Sequence, residues 1–588
     1  MYRIATDAPH GAGFLKQIGR LALVNIIGFG GAALLLLPFL EYLSRSFNAH
    51  AGPFTPGLDI VIHRRDLFGY LVPLAAGPLG GGNGVYGYFG MTATMLAVLA
   101  VATWIREWRS RQATVSADLV PFFAVAVVLM ILKRYGISLV QWIGYLPLFR
   151  MIVFYKYLEP LIGFGVAVLC GIGLSHVIGR KLHAKTAAVA IAIVLTMFVC
   201  GYVAFLPYAA DRPNAWMFFG STTTGLVVLV VAAAIVLAAA GHRSEGASAG
   251  AVRDKTLFAG PALMVCLAGE LFLIFIYPMF YKYSEQPDKS VNAFSRAPYI
   301  TWLQQKDART FRIFARNGVL TPNWPGVFGL SDIRDLDAMY DKRYLPFVRA
   351  FFPPQGPGKD LFDRFTGMNL DYSFSSPSAR RMLQLSSVRY LITDTPFASG
   401  RGDLQFADPV FNLVYNHEVQ IYEYPAILPR AAVFYGVETE LMDDDSLKRL
   451  LDPAHDIFQR AVVALSTISS DSARKIDQIN GMPPRKATAA YIARQESREV
   501  DIEAKLDQPG LLTLNDTDYP GWRADVDGSE VPILTVNYLF RGVLLEKGAH
   551  QVRFRYEPAS FRWGTAVSVL SLIVLVLAAR FHPRLGLG

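Results

Sequence analysis

Long apolar stretches separated by short basic segments dominate the first half of the chain. A helix needs about 20 apolar residues to cross a bilayer, because its backbone amides must be satisfied internally. Eight stretches reach or approach that length: 20–43, 86–105, 118–134, 152–178, 186–208, 219–240, 256–280 and 563–580. The pattern therefore predicts a polytopic α-helical membrane protein of about eight spans.

The region between the seventh and eighth stretches is polar and changes character along its length. Residues 281–489 mix helix and strand patterns, with helices expected at 295–306 and 442–452. Strands are expected at 310–315, 388–394 and 419–424.

From 490 to 562 apolar and polar positions alternate, with turn sequences at Asp527-Gly528 and Lys547-Gly548. We therefore expect four parts. They are a transmembrane helical bundle of seven spans (1–280), an α/β region (281–489), a β-sandwich module (490–562), and a final transmembrane helix with a cytoplasmic tail (563–588).

Composition supports a membrane protein and argues against a nucleic-acid-binding one. Apolar residues make up 53% of the chain and the mean hydropathy is +0.32, too apolar for an ordinary soluble enzyme. The net charge of +9 comes largely from Lys and Arg in short loops, such as Arg106, Arg109 and Arg111. With the N-terminus in the cytoplasm, these loops face inward as the positive-inside rule requires. The polar region 281–562 is then expected outside the cytoplasm.

Three stretches of the chain resemble one family. They are 516–558 followed by the last span, 419–434 with its Tyr-Glu then Leu-Pro-Arg pattern, and 34–46 at a helix exit. The chain resembles the YfhO family of bacterial membrane proteins, which looks like part of the C-type glycosyltransferase superfamily. The first span here is similar to a middle span of that family, so we expect the family's N-terminal helices, with their catalytic loop, to be missing.

The resemblance implies a multi-pass protein of the bacterial inner membrane with its large domain extracytoplasmic. It implies a polyprenyl-phosphate-linked sugar as the donor and a cell-surface glycan or polymer as the acceptor. The alternative is a non-catalytic, membrane-anchored carbohydrate-binding or scaffold protein. A transporter is not favoured, since buried charge is sparse and no inverted repeat is visible.

Glycosyl transfer needs a carboxylate to activate the acceptor hydroxyl. Glu41 closes an apolar helix, and Glu159 lies within an apolar run, where an ionisable residue is a functional candidate. These two are the predicted catalytic residues. The plainer explanations are ion pairs, of Glu41 with Arg45 and of Glu159 with Lys156.

Cations are needed to balance the departing lipid phosphate. The predicted lipid-phosphate-binding residues are Arg150, Lys156, Arg134, Arg64 and Arg65, with Lys133 beside Arg134. The alternatives are contacts with anionic lipid headgroups or exposure in a solvated loop.

Aromatic residues of the strand-rich module are candidates for stacking on sugar rings. The predicted sugar-binding residues are Trp522, Tyr519 and Tyr538, with a structural core as the alternative. No Cys or His spacing indicates a metal site, and no motif indicates a cofactor. Whether a divalent cation binds at the donor phosphate is left open by the sequence.

Overall fold

The computed structural model of the chain describes most of its length. The described residues are 12–48, 64–72, 88–110, 119–146, 154–179, 182–209, 215–241, 249–272, 295–315, 319–334, 339–352, 376–393, 410–483 and 485–581. The chain divides into two compact units. Unit 1 comprises residues 1–18 and 50–290, and unit 2 comprises residues 19–49 and 291–588.

Helices form where the apolar residues are continuous. In chain order they are α1 (Ala12–Gly31), α2 (Ala33–Arg45), α3 (Met91–Arg109), α4 (Leu119–Arg134), α5 (Phe154–Tyr157), α6 (Glu159–Ile178), α7 (Ala184–Ala209), α8 (Ala215–Gly241) and α9 (Ala249–Leu271). Helices α3 to α9 belong to unit 1, with 3-10 helices at Arg64–Tyr70 and Ser138–Tyr145. Helix α2 and the part of α1 from Gly19 onward belong to unit 2.

The membrane character of the chain is confirmed, and up to six of the eight predicted spans qualify within the described residues. Among the described residues, four helical segments are long and apolar enough to cross a bilayer: Glu159–Ile178, Ala184–Pro207, Phe218–Ala240 and Ala559–Ala578. The number rises to six if two bent pairs each count as one span. Helices also form in the predicted spans 86–105 and 256–280, but the apolar part of the second is only Phe258–Leu271.

Small residues allow the helices of unit 1 to pack closely. Helix α3 packs against α6 and α7. A Cβ atom on Gly173 of α6 would overlap the carbonyl group of Leu96 on α3. Glycine is therefore required at this crossing, as is common where membrane helices approach through small residues.

Unit 2 contains the strands and the remaining helices. The strands are β1 (Ser46–Asn48), β2 (Arg312–Ala315), β3 (Met339–Asp341), β4 (Val388–Thr393), β5 (Asn412–Asn416), β6 (Gln420–Glu423), β7 (Ala431–Phe434), β8 (Val437–Glu440), β9 (Ala461–Ala464), β10 (Thr488–Ala489), β11 (Tyr491–Gln495), β12 (Glu499–Leu506), β13 (Gly510–Thr517), β14 (Trp522–Val526), β15 (Ser529–Val531), β16 (Leu534–Val536), β17 (Phe540–Leu545) and β18 (Gly548–Tyr556). The helices are α10 (Pro298–Gln304), α11 (Tyr344–Phe351), α12 (Pro377–Leu385), α13 (Asp443–Leu451), α14 (Ser470–Asn480) and α15 (Ala559–Phe581).

The described strands of unit 2 form four sheets. The pair β1–β3 joins the residues that follow α2 to the polar region, with Phe47 opposite Tyr340. A four-stranded sheet has the order β2-β4-β6-β5, a seven-stranded sheet the order β10-β7-β13-β17-β16-β9-β8, and a five-stranded sheet the order β11-β12-β18-β14-β15. The strands expected at 310–315, 388–394 and 419–424 are confirmed as β2, β4 and β6.

The alternation seen after residue 490 arises because the seven- and five-stranded sheets share a hydrophobic core. Leu512 and Val543 of the first sheet pack with Ile502 and Phe554 of the second. The turn at Asp527-Gly528 is confirmed, with positive φ at both residues. The segment at Lys547-Gly548 instead carries the chain from the seven-stranded sheet to the five-stranded one. Strands β7 to β10, from before residue 490, complete the seven-stranded sheet.

Candidate functional site

Unit 1 contains a buried ion pair between two of the predicted site residues. Arg134, the last residue of α4, and Glu159, the first residue of α6, pair through Nη1 and Oε1. Their side chains are only 2% and 9% exposed. A residue expected to bind phosphate and a residue expected to be catalytic are thus direct partners.

Tyr70 completes this cluster, and the sequence analysis did not single it out. The Arg134 Nη1 donates a hydrogen bond to the Tyr70 hydroxyl at 2.7 Å. That hydroxyl donates to Glu159 Oε1 at 3.3 Å, and the Arg134 guanidinium lies 5.4 Å from the ring centre of Tyr135. Tyr70 lies 64 residues before Arg134, so no local pattern signals their contact.

A second buried cation, Lys133, lies beside Arg134. Lys133 is 3% exposed, and its Nζ donates to the side-chain oxygen of Gln141 at 2.8 Å and to the Gln141 carbonyl at 3.2 Å. The same ammonium group lies 4.8 Å from the ring centre of Phe154. Among the described residues these partners are all neutral, so the cluster holds two cations against the carboxylate of Glu159.

An apolar cavity of about 630 Å³ lies next to the cluster. Its walls come from the 3-10 helix Arg64–Tyr70 and from α3, α4, α6 and α7, with Tyr70 itself in the lining. Phe89, another lining residue, stacks on Tyr70 with ring centres 4.8 Å apart. The arrangement combines an apolar chamber with buried positive charge, which suits an amphiphile with an anionic head.

Other predicted phosphate-binding residues cannot be placed at this cluster. Arg150 lies outside the described residues. The backbones of Arg64 and Arg65 lie in the 3-10 helix Arg64–Tyr70, and that of Lys156 lies in α5, but their side chains are outside the described part of the structure. These four assignments stay predictions.

Unit 1 has another buried carboxylate that the sequence analysis did not assign to the site. Glu270 of α9 accepts hydrogen bonds from the backbone N–H groups of Met91 at 2.6 Å and Thr92 at 3.2 Å. It also accepts one from the Tyr88 hydroxyl. Glu270 therefore caps the start of α3 from a neighbouring helix, which satisfies backbone donors that the helix itself leaves unpaired.

In unit 2, Asp516 lies at the centre of three arginines. Its carboxylate pairs with Arg312 and with Arg430 Nη2 at 2.8 Å through Oδ1, and with Arg541 Nη2 at 3.4 Å through Oδ2. Burial by itself would raise the pKa of Asp516. The charges of Arg430, Arg312 and Arg541 outweigh that effect and hold the pKa well below its usual range.

The three predicted sugar-binding residues lie in different surroundings. Tyr519 lines a cavity of about 580 Å³ in unit 2. Trp522 has its ring 3.7 Å from the guanidinium of Arg541, and Tyr538 is buried in the core with Arg343 over its ring. These contacts are compatible with the structural alternative for Trp522 and Tyr538. The ring of Tyr519 lies 6.3 Å from that of Tyr42 and 6.4 Å from that of Tyr556, centre to centre, and lines the cavity as well.

Glu41, the other predicted catalytic residue, lies on α2 and therefore in unit 2. Burial raises the pKa of Tyr519 to about 12, with further contributions from the nearby Tyr556 and from the negative charge of Glu41. Glu41 and Glu159 thus belong to different units. Among the described residues, no group of three His, Cys, Asp or Glu side chains is arranged to hold a metal ion.

The fold defines a class: a membrane protein with several apolar helices and a polar region built on β-sheets. Residues 474–568 match the family described as bacterial membrane protein YfhO, which confirms the resemblance found in the sequence. The matched segment includes Asp516, Tyr519, Trp522 and Arg541. No curated protein and no solved structure was found to match the chain.

Proposed function

We propose that the protein is a membrane glycosyltransferase, or the C-terminal part of one, that binds a polyprenyl-phosphate-linked sugar in unit 1. One observation carries the proposal. Among the described residues, the buried cation Lys133 contacts no carboxylate, while the neighbouring Arg134 pairs with Glu159, and this cluster lies beside a large apolar cavity. A buried charge is costly unless it is paired, and ionisable groups at membrane depth usually serve function.

The phosphate of the carrier would complete this charge balance. Its oxygens would accept hydrogen bonds from the Lys133 ammonium and the Arg134 guanidinium, which are strong donors to phosphate. The first isoprenoid units would occupy the apolar cavity, whose size of about 630 Å³ lies within the range of small-molecule sites. The rest of the chain would extend into the surrounding lipid.

Glu159 is better suited to positioning than to proton transfer. Its Oε1 atom pairs with Arg134 and accepts a hydrogen bond from Tyr70, so the carboxylate is committed to these two side chains. We therefore assign Glu159 to fixing the orientation of Arg134. Glu41, which lies in unit 2, stays a predicted catalytic residue. Arg134 and Lys133 would then stabilise the phosphate as it leaves.

The proposed reaction is a transfer of one sugar. The acceptor hydroxyl oxygen forms a bond to the anomeric carbon, and the bond from that carbon to the phosphate oxygen breaks with its electron pair. The hydroxyl proton passes to a carboxylate. The polyprenyl phosphate leaves as an anion, and the product is a cell-surface glycan or polymer extended by one sugar on the extracytoplasmic face of the inner membrane.

Photo-crosslinking tests the lipid site directly. The full-length protein in lipid nanodiscs is incubated with a short-chain polyprenyl phosphate that carries a photoreactive group, and with the matching uncharged polyprenol. We expect the wild type to prefer the phosphate by about tenfold or more, as expected for a hydrogen bond between charged groups. Lys133→Met should remove most of this preference, and Lys133→Arg should retain it.

The matched control is Arg109→Met, which removes an exposed cation at the end of α3 in the same unit. It should crosslink like the wild type. If Lys133→Met keeps the full preference for the phosphate while its folding is unchanged, the proposed lipid-phosphate site is wrong.

A further inference from the structure

The cavity in unit 2 lies where a membrane helix meets the polar region. The Tyr42 hydroxyl of α2 donates a hydrogen bond to the Met339 carbonyl at 2.8 Å, and both Tyr42 and Tyr340 line the cavity. Strand β1 follows α2 directly and pairs with β3, which provides Tyr340 and Asp341. The cavity of about 580 Å³ is therefore built at the end of α2.

Aromatic rings form much of its lining. Tyr42, Tyr340, Tyr344, Tyr519 and Phe540 contribute to the walls. The rings of Tyr42 and Tyr519 are 6.3 Å apart, centre to centre, and come from α2 and from the segment after β13. Such rings present flat apolar faces with a polar edge, which match the C–H faces of a sugar ring.

The same cavity is also lined by polar side chains with unused bonding capacity. The Nε and Nη2 atoms of Arg334 are engaged by Asp332, and Nη2 also donates to the Leu320 carbonyl at 2.7 Å. No described residue accepts a hydrogen bond from Arg334 Nη1, although the side chain is only 1% exposed. Asp341 accepts one hydrogen bond through Oδ1, from the backbone N–H of Arg343 at 2.8 Å, and no described donor reaches its Oδ2.

The charges around the cavity nearly balance. Its charged lining residues are Arg312, Arg334, Asp332, Asp341 and Asp516. Arg430 and Arg541 lie behind Asp516 and pair with it. These lining residues and the two further partners of Asp516 comprise four arginines and three aspartates, whereas a site for a phosphate or a polyanionic polymer needs a clear excess of positive charge.

We propose that this cavity binds a neutral sugar unit of the acceptor glycan. The description of that sugar as an acceptor rests on the proposed glycosyltransferase function, whereas the binding itself does not. A sugar hydroxyl both donates and accepts hydrogen bonds. Arg334 Nη1 supplies a donor and Asp341 Oδ2 an acceptor, while Tyr519 and Tyr42 supply faces for stacking. A cavity of this volume lies within the range of small-molecule sites.

Two further features of the cavity suit the binding of an acceptor sugar: side chains that are already held in place, and a position at the end of α2. The polar partners of Arg334 and Asp341 fix both side chains, so the donor and the acceptor are held in place before a ligand arrives. The connection through β1 and β3 places the glycan next to the end of α2. A polymer anchored in the membrane would have its nearest sugars at such a position.

Saturation-transfer NMR on the full-length protein in nanodiscs tests the binding. The probes are neutral disaccharides of glucose, galactose and N-acetylglucosamine, with inorganic phosphate as a competitor. We expect at least one disaccharide to bind. Tyr519→Ala should weaken it by about threefold to tenfold, the range of one aromatic contact, and Asp341→Asn should weaken it as well.

The control is Tyr491→Ala, which removes an exposed tyrosine of β11 in the same unit and should leave binding unchanged. Thermal unfolding of each variant shows whether it is folded. The proposal is overturned if no disaccharide binds, if both cavity variants bind like the wild type, or if inorganic phosphate displaces the sugar and so identifies an anion site.

The same measurements separate this inference from the proposed function. Lys133→Met lies in unit 1 and should leave disaccharide binding unchanged while it lowers lipid-phosphate crosslinking. Disaccharide binding without lipid-phosphate binding would contradict the transferase proposal, support the alternative of a carbohydrate-binding protein, and leave the cavity assignment intact.

Discussion

The hydroxyl of Ser568 on α15 accepts a hydrogen bond from the backbone N–H of Leu34 on α2 at 2.9 Å. The same hydroxyl donates to the Gly30 carbonyl at 3.2 Å. The chain bends by 78° between α1 and α2, and such a break frees backbone groups from the helical ladder. Because a bilayer offers no water to satisfy them, one side chain from the last helix takes over both groups.

Substitution of Ser568 by Ala should therefore destabilise the packing of α2 on α15. We expect a loss of about 1–2 kcal/mol in the free energy of unfolding, because two backbone groups lose their partner. The measurement is thermal or denaturant unfolding of the protein in detergent. Thr565→Ala is the matched control, because the Thr565 hydroxyl donates only to the Phe561 carbonyl of its own helix. Equal stability of the two variants would contradict the bridging role.

Gly564 allows the same two helices to approach. A Cβ atom at this position would lie 2.5 Å from the carbonyl oxygen of Ala33 and 3.1 Å from the Cα of Leu34. Since both are backbone atoms, α2 would have to move. Gly564→Ala should lower stability by about 1–3 kcal/mol, as overpacking does elsewhere.

Gly28 of α1 is the matched control for Gly564, because a Cβ atom there would contact nothing within 4 Å. Gly28→Ala should be neutral, or stabilising by up to about 1 kcal/mol through higher helix propensity. The comparison needs only unfolding curves of the two variants. If Gly28→Ala were less stable than Gly564→Ala, α2 and α15 would not pack through Gly564.

Asp516 should make the protein sensitive to acid. Its pKa is lower in the folded state than in the unfolded chain, where it is about 3.9. Its stabilising contribution is therefore fully present above that value and is lost as the pH falls below it towards the lower pKa of the folded state. Unfolding measured from pH 6 down to pH 2 should show this loss below about pH 4, and Asp516→Asn should abolish it.

Asp516→Asn should also be costly at neutral pH, because it leaves Arg312, Arg430 and Arg541 without their shared anion. Removal of one partner of a buried ion pair costs about 3–5 kcal/mol. Asp507→Asn is the control, since Asp507 pairs with Arg485 at the surface at 2.8 Å and such pairs contribute less than about 1 kcal/mol. A similar small effect for both variants would contradict the central role of Asp516.

Arg134 and Glu159 should behave as a coupled pair in unit 1. Glu159→Gln leaves a buried guanidinium without its counter-charge, and we expect a cost of about 3–5 kcal/mol. Arg134→Met alone should be costly for the same reason. The double variant should be more stable than the sum of the two single effects predicts, and a double-mutant cycle of unfolding energies measures this difference. Additive effects would mean that the two residues do not interact.

Local patterns in the sequence predicted many of the helices and strands. Glu159 was chosen because it interrupts an apolar run, and it is in fact buried at a helix start. Its contacts with Arg134 and Tyr70, 25 and 89 residues away, were not predicted. The pairing with Lys156 three residues earlier stays a prediction, because the Lys156 side chain lies outside the described part of the structure. Helical spacing predicts neighbours within one helix and says nothing about neighbours across helices.

The sequence by itself determined that this is a membrane protein with apolar helices, a strand-rich region and a tight turn at Asp527-Gly528. These follow from hydrophobic periodicity and turn chemistry, which act over a few residues. Only the tertiary structure decided which distant side chains meet. Arg312 and Asp516 lie 204 residues apart in the chain but share one ion pair, and Tyr42 reaches Tyr519 across an even longer separation. Such contacts depend on how the sheets and helices pack, so no local pattern encodes them.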